Sequence, residues 1–259
     1  MPRFPVRAVI VAVLSAGALL SAPACSVVAP DRAARTVGAP ASPGAAGTAS
    51  RAPAADPTLT EAQAQAALIS EADLGEPWVP TQGFATWRDS MLKAGAEPAE
   101  CRRLLDALYA DDLFGADART RASIGLDDEW DGAQLRYQIV AHRPADVDRT
   151  LAWLGAMPDQ CGRFEATARG GQMAVQVRES ELPQVGDARQ GLRIVLTGIS
   201  EDEDAPTLTL DVAAVRVGDD TITVTNGGLG EVPAEATWAA VELGAHRLEE
   251  VRKRGRQDV

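Results

Sequence analysis

Three cysteines occur among the 259 residues, at positions 25, 101 and 161. A cysteine can be acylated, oxidised to a disulfide, or held as a nucleophilic thiolate, and an odd number leaves one over from any pairing. Cys25 ends the stretch "SAPAC". Upstream, Arg3 and Arg7 precede an apolar run from Ala8 to Ala22. That run falls short of the roughly 20 residues of a membrane span and has the shape of an export signal followed by small residues. Ala22, Pro23 and Ala24 suit an ordinary signal peptidase. The same Ala24–Cys25 bond is where a bacterial lipoprotein signal is cut, leaving an N-terminal cysteine that carries palmitate-class acyl chains. The lipobox match is partial, because Ala22 stands where leucine is usual and Leu20 lies two residues earlier. Acylation gives the odd thiol a use and leaves Cys101 and Cys161 to pair. The alternatives are a plain secreted chain with an unpaired Cys25, and two buried free thiols at 101 and 161.

No other residues make a catalytic or metal-binding pattern. His142 and His246 are the only histidines, and neither has a second His or Cys at ligand spacing. "TGISED" around Ser200 lacks the second glycine of a nucleophile elbow. "NGGLGE" (226–231) lacks the Lys-Ser/Thr of a phosphate loop and reads as a turn. "SEDEDAP" (200–206) has no glycine where a calcium loop bends and reads as a solvated hairpin tip. No catalytic residue, metal or cofactor is therefore assigned. Acidic residues are plentiful enough for a cell-envelope hydrolase to stand as an alternative, which needs two carboxyls about 5–9.5 Å apart, one with a raised pKa. A structural, protein-docking lipoprotein is a third reading. The tryptophans are the better candidates for a site. Trp78 in "DLGEPWVP", Trp87 in "FATWRDS" and Trp130 in "LDDEWDG" sit in irregular stretches, where aromatic side chains can wall an apolar ligand cleft. The competing reading is that each fills a gap in the core.

Composition divides the chain at about residue 58. Residues 26–58 are dominated by Ala, Pro, Gly, Ser and Thr without apolar periodicity, so they cannot bury enough surface to offset their ordering entropy. They form a tether with a root-mean-square span of roughly 30 Å. The expected organisation is a signal peptide over 1–24, a lipidated Cys25 with its tether over 25–58, and one globular domain over 59–259. Residues 60–259 carry 20 basic and 35 acidic side chains. A net charge of −15 repels nucleic acid and anionic lipid headgroups at long range, so nucleic-acid binding is excluded and the membrane is reached through Cys25. Arginine outnumbers lysine by 23 to 2, as in high-GC bacterial genomes.

The folded part begins with helices. Thr60 and Gln63 form a capping box, Pro98 opens a helix with Cys101, Leu104, Leu105 and Leu108 on one face, and Pro144 opens another with Val147, Leu151 and Leu154 inward. Leu135, Tyr137, Ile139 and Ala141 alternate with polar residues as a half-buried strand does. Strands dominate the second half: Met173, Val175 and Val177 alternate, and so do Leu192, Ile194 and Leu196. "TLTLDVAAVRV" alternates until Ala213–Ala214, where the phase slips as a β-bulge would make it. A hairpin is expected at Gly218 to Asp220. A closing helix after Pro233 has Trp238, Val241, Ala245 and Leu248 as its buried stripe. The expected fold is α+β, a twisted antiparallel sheet packed by helices in a single globular domain.

Several phrases, in this order, resemble the PknH-like extracellular sensor domain of actinobacterial lipoproteins and of a transmembrane serine/threonine kinase. They are "ALISEADLGEPW", "AECRRLLDAL", "LAWLGAMPDQCG", "LPQVGDARQGLRI" and "VAAVRVGDDTITVT", preceded by the export signal and tether. The resemblance spans roughly residues 60–255. It implies a disulfide between Cys101 and Cys161, a groove able to hold a small ligand, and no enzyme activity. This chain departs from the group in having no cysteines for a second disulfide. It also shows no kinase domain or spanning helix, so any signal is expected to pass through a partner, either a small ligand or an envelope protein.

Overall fold

The computed structural model describes residues 59–199 and 205–257. The export segment, Cys25, the tether and the acidic run 200–204 lie outside the described residues. The elements are α1 (Glu61–Ala66), α2 (Glu71–Leu74), β1 (Trp78–Pro80), a π-helical turn (Arg88–Leu92), β2 (Ala94–Ala96), α3 (Ala99–Tyr109), β3 (Arg119–Asp128), β4 (Gln134–Ala141), α4 (Pro144–Cys161), β5 (Arg163–Ala168), β6 (Gly171–Glu179), β7 (Ala188–Gly198), β8 (Thr207–Val217), β9 (Asp220–Leu229) and α5 (Ala234–Gln257). The strands form one antiparallel sheet in the order β1-β3-β4-β9-β8-β7-β6-β5-β2. The class is α+β, as the alternation patterns imply. Among the described residues, no helix is long and apolar enough to cross a membrane.

Helices cover both faces of this sheet, each over a different half. On the first face, α3, α4 and the π-helical turn pack on β5 to β8, burying Leu104, Leu108, Leu154 and Met157 against Val175, Val177, Ile194 and Leu210. On the second face, α5 and α1 cover β3, β4, β9 and β8, burying Val241, Ala245 and Leu248 against Tyr137, Ile139, Val215 and Val224. β8 belongs to both cores. Leu208, Leu210, Val212 and Ala214 point to the first, and Ala213, Val215 and Val217 to the second. This corrects the bulge expected at Ala213–Ala214: pairing with β7 and β9 runs through both residues without a shift. Consecutive apolar residues there reflect a strand covered on both faces, not a change of phase. The sheet's register does shift elsewhere, between Thr120 and Ala122 of β3.

Local signals place the remaining elements. The Thr60 box is formed, with the Gln63 N–H donating to Thr60 Oγ1 at 3.2 Å and the Thr60 N–H to Gln63 Oε1 at 2.8 Å. The β8–β9 hairpin turns through Gly218 at φ 64°. The positive φ favours glycine, and a Cβ there would also have to displace the Arg252 guanidinium, 2.4 Å away. Arg88 is buried and donates from Nη2 to the carbonyls of Tyr109 (2.8 Å) and Leu108 (3.3 Å), capping the C-terminus of α3. The same atom meets Asp111 Oδ1 at 3.0 Å, and Arg136 Nε meets Asp111 Oδ2 at 3.3 Å. Trp238 does not join the buried stripe of α5. It is 40% exposed, with its indole N–H donating to the Glu181 carbonyl at 2.9 Å. The stripe runs instead through Ala240, Val241, Gly244, Ala245 and Leu248.

Cys101 and Cys161 form a disulfide across 60 residues of sequence, tying the start of α3 to the end of α4. Next to it, the Arg103 guanidinium stacks 4.2 Å from the Trp153 ring centroid, and the Trp153 indole donates to Glu100 at 2.9 Å. Closing a loop of this length is worth about 4 kcal/mol in the chain-entropy treatment. The paired change Cys101→Ser with Cys161→Ser is therefore expected to lower unfolding stability by about that amount in denaturant titration; an unchanged midpoint would remove the disulfide from the energetics of the fold. Gly244 provides a second test, because a Cβ there would lie 2.4 Å from the buried Tyr137 hydroxyl. Gly244→Ala gains about 1 kcal/mol of helix propensity but overpacks α5 on a rigid ring, and a net loss of about 1–2 kcal/mol is expected.

Candidate functional site

On the second face, at the end of the sheet where β1, the β3–β4 turn and the last residues of β9 meet, lies a cavity of about 310 Å³. Its walls come from separate parts of the chain. Trp78 stands on β1, Asp73 and Leu74 on α2, Asp128 and Ala133 at the β3–β4 turn, Asn226 on β9, and Glu235, Ala236 and Ala239 on the first turns of α5. Strand pairing sets the floor: Trp78 pairs with Asp128, and Asn226 lies between Leu135 of β4 and Asp211 of β8. Gly228 lets two of the lining residues, Ala133 and Val232, pack closely on β9. A Cβ there would sit 3.1 Å from Ala133 Cα and 3.2 Å from Val232 Cγ2.

Each polar side chain around this cavity has a distinct state. Asp73 is fully engaged: Oδ2 accepts from the Ser70 N–H (2.7 Å), the Ser70 hydroxyl (2.8 Å) and Arg247 Nη1 (2.7 Å), and Oδ1 accepts from Arg247 Nη2. Arg247 also reaches the Leu68 carbonyl at 2.8 Å. The Arg247 hydrogen bonds outweigh burial and hold the Asp73 carboxyl below its ordinary 3.8, with Ser70 adding to the effect. Asp128 is half consumed by the turn, its Oδ1 accepting from the N–H groups of Trp130 (2.8 Å) and Asp131 (3.0 Å). Asn226 is 0% exposed. Its Nδ2 donates to the buried Thr237 hydroxyl at 3.4 Å, and its Oδ1 has no hydrogen-bond partner among the described residues. A buried, unpaired acceptor costs about 1–3 kcal/mol.

Behind Asn226, Asp211 is buried and accepts from Arg193 Nη1 at 3.0 Å on both oxygens, while Arg193 Nη2 donates to the Val232 carbonyl at 2.9 Å. Desolvation dominates there and raises the Asp211 pKa in spite of Arg193. Asp220, at the opposite end of α5, is likewise raised by burial against the pull of Arg252. These two carboxyls are locked in ion pairs and neither lines the cavity.

Of the three tryptophans expected to wall a cleft, the structure places Trp78 on this cavity and separates the others from it. Trp87 is 4% exposed within the first core, its ring 3.0 Å from where a Cβ on Gly227 would lie. Trp130 is 73% exposed at the β3–β4 turn and contributes only its backbone N–H to Asp128. Asn226, taken from sequence as the start of a turn, is instead in β9. The signal was present: Ile222, Val224 and Asn226 share one phase of the alternation, so a polar residue occupies a core position. Elsewhere, His142 Nε2 lies 3.4 Å from the buried Asp146 carboxylate, which also takes Arg143 and Arg149. Burial opposes ionisation of Asp146, but the bonds and charges of the two arginines prevail and lower its pKa. These groups line a concavity of about 510 Å³ between α3 and α4, with Arg103 and Trp153. Among the described residues, no three His, Cys, Asp or Glu side chains are grouped to hold a metal.

No protein-family model matches the chain. No curated protein matches it. Among solved structures it is similar to the extracellular domain of PknH from Mycobacterium tuberculosis, with a TM-score of 0.46 and 13% identity over 76% of this chain and 99% of that one. It is also similar to an uncharacterized protein from Mycobacterium smegmatis, with a TM-score of 0.37 and 16% identity over 70% of this chain and 93% of that one.

The Asp73–Arg247 pair links stability to pH. A carboxyl with a depressed folded-state pKa contributes stability that is present above its unfolded value and lost as pH falls through the folded one. Arg247→Met is expected to shift the Asp73 carboxyl resonance titration upward. It should also flatten the loss of stability as pH falls below about 4, while lowering stability at neutral pH. An Asp73 titration that does not move would show that Arg247 contributes nothing to its ionisation.

Proposed function

We propose that this chain is a lipid-anchored, extracytoplasmic member of the PknH-like sensor group that binds a small ligand without transforming it. Cys25 holds the protein to the outer face of the cell membrane, residues 26–58 tether it, and the ligand occupies the cavity walled by Trp78. The observation that carries the binding reading is Asn226: a fully buried side chain in that cavity whose Oδ1 lacks a partner. Interiors rarely leave such an acceptor unmet, and a ligand donor would satisfy it. The Cys101–Cys161 disulfide supports an oxidising compartment, in keeping with the export signal.

Binding without turnover is favoured by how the cavity's carboxylates are used. A glycosidase-type hydrolase needs one carboxyl with a raised pKa facing the substrate. Asp73 is depressed and ion-paired, Asp128 holds a turn, Glu235 is exposed on the first turn of α5, and the raised carboxyls Asp211 and Asp220 are buried with arginines.

Native mass spectrometry of protein purified from its own host membrane tests both halves. The mature chain is expected to begin at an acylated Cys25 and to carry a small bound species that Trp78→Ala reduces at least about fivefold, as loss of an aromatic wall worth about 1 kcal/mol implies. Cys25→Ser should release the protein from the membrane fraction. An unclipped or unacylated chain sinks the anchor, and a consistently empty protein sinks the ligand.

A further inference from the structure

The cavity has a definite chemical sign. Among the described residues, its charged lining side chains are all carboxylates, Asp73, Asp128 and Glu235, with no Lys, Arg or His. Arg247 neutralises Asp73 from outside the lining, which leaves the charges of Asp128 and Glu235. The N-terminus of α5 carries a partial positive charge of roughly half a unit, too little to balance two carboxylates. The only unpartnered buried polar atom in the lining is an acceptor, Asn226 Oδ1; the matching Nδ2 is spent on Thr237. The same lining includes Trp78 and the apolar side chains of Leu74, Val232, Ala236 and Ala239.

An anion would meet carboxylates without a counter-charge. A neutral ligand with acceptors alone would leave Asn226 Oδ1 unmet. A cation with N–H donors answers every feature: it donates to Asn226 Oδ1, faces the carboxylates, and lies against an aromatic ring whose π-face attracts positive charge. The volume of about 310 Å³ is at the small end of ligand pockets, and the apolar patch accommodates a short hydrocarbon tail.

We propose that the Trp78 cavity binds small alkylammonium compounds, the ammonium N–H donating to Asn226 Oδ1 and its charge held by Glu235 and Asp128. This rests on the reading of that cavity as the ligand site and adds the class of ligand. Long-range attraction has the same sign, because the folded part of the chain is strongly acidic.

The test titrates the full mature protein with three probes of one shape: n-butylammonium, butan-1-ol and butyrate. Binding is followed by calorimetry and by the Asn226 side-chain amide and Trp78 indole resonances. Butylammonium is expected to move both resonances saturably and to bind less tightly as salt rises. Asn226→Leu should weaken it about tenfold. Glu235→Gln, on the exposed first turn of α5, should weaken it about threefold or more, and it keeps the test decisive if Asn226→Leu fails to fold. Equal binding of butan-1-ol or butyrate, or butylammonium binding indifferent to Glu235→Gln, would overturn the ammonium assignment while leaving the cavity a ligand site. Silence from all three probes would overturn it too; recovery of a different species with host-purified protein would then separate this failure from failure of the cavity itself.

Discussion

The constraint on which this molecule depends is that its two central strands are covered on both faces. Few residues of β8 or β9 reach solvent, so every polar group on them must find a partner inside the protein or remain unpaired at a cost of about 1–3 kcal/mol. The partners are specific. Asp211 takes Arg193, Asp220 takes Arg252, and Thr223 donates to Gln138 at 3.1 Å. Several groups stay unmet, among them the Tyr137 and Thr221 hydroxyls, the Trp87 indole N–H and Asn226 Oδ1. Asn226 differs from the other three because it also lines the Trp78 cavity. Tyr137 instead is closed over by Gly244 of α5, and burial pushes its phenol above the ordinary 10.0.

The buried ion pairs are better understood as positioning devices than as sources of stability. Desolvating two charges cancels much of their attraction, and the raised pKa values of Asp211 and Asp220 show desolvation ahead of the arginines. A carboxyl with a raised folded-state pKa contributes stability below its unfolded value, and that contribution is lost as pH rises through the folded one. Relative to the protonated carboxyls, ionisation at neutral pH therefore lowers stability. What they fix is geometry. Arg193 joins β7 and β8 to the carbonyl of Val232 just before α5, and Arg252 joins the far end of α5 to the β8–β9 turn. The long closing helix is thus set in register at both ends over the second face.

Much of the fold was legible because it rests on periodicity. The helices begun by Thr60, Pro98 and Pro144 and the alternating strands β4, β6, β7 and β9 follow from spacing alone. What the pattern misread are cases where local rules met two-sided burial: Ala213–Ala214 looks like a bulge only if one face is wet. β1 and β2 span three residues each, too few for alternation to register. β3, "RTRASIGLDD", does alternate, with Ala122, Ile124 and Leu126 toward the second core, but the apolar series is only three residues long and begins with an alanine. The site was less legible still. Tryptophans on irregular stretches draw attention through composition, yet whether one reaches a cavity depends on which sheet face it meets. Trp78 and Trp87 are nine residues apart and end on opposite faces.

A ligand in the Trp78 cavity would touch four chain segments: α2 with β1, the β3–β4 turn, the end of β9, and the start of α5. Two of them are already coupled, because Arg247 on α5 holds Asp73 on α2 and the Leu68 carbonyl. Binding energy delivered at such a junction adds to whatever keeps the segments docked, by an amount that grows with the logarithm of ligand concentration over Kd. Residues 59–78, the first of the described residues, are held by this junction and by the burial of Leu59, Ala64 and Ile69 against the second face. Docking of this segment is therefore among the contacts that a ligand in the cavity would strengthen. A ligand that interacts differently with two states of that segment would shift their populations.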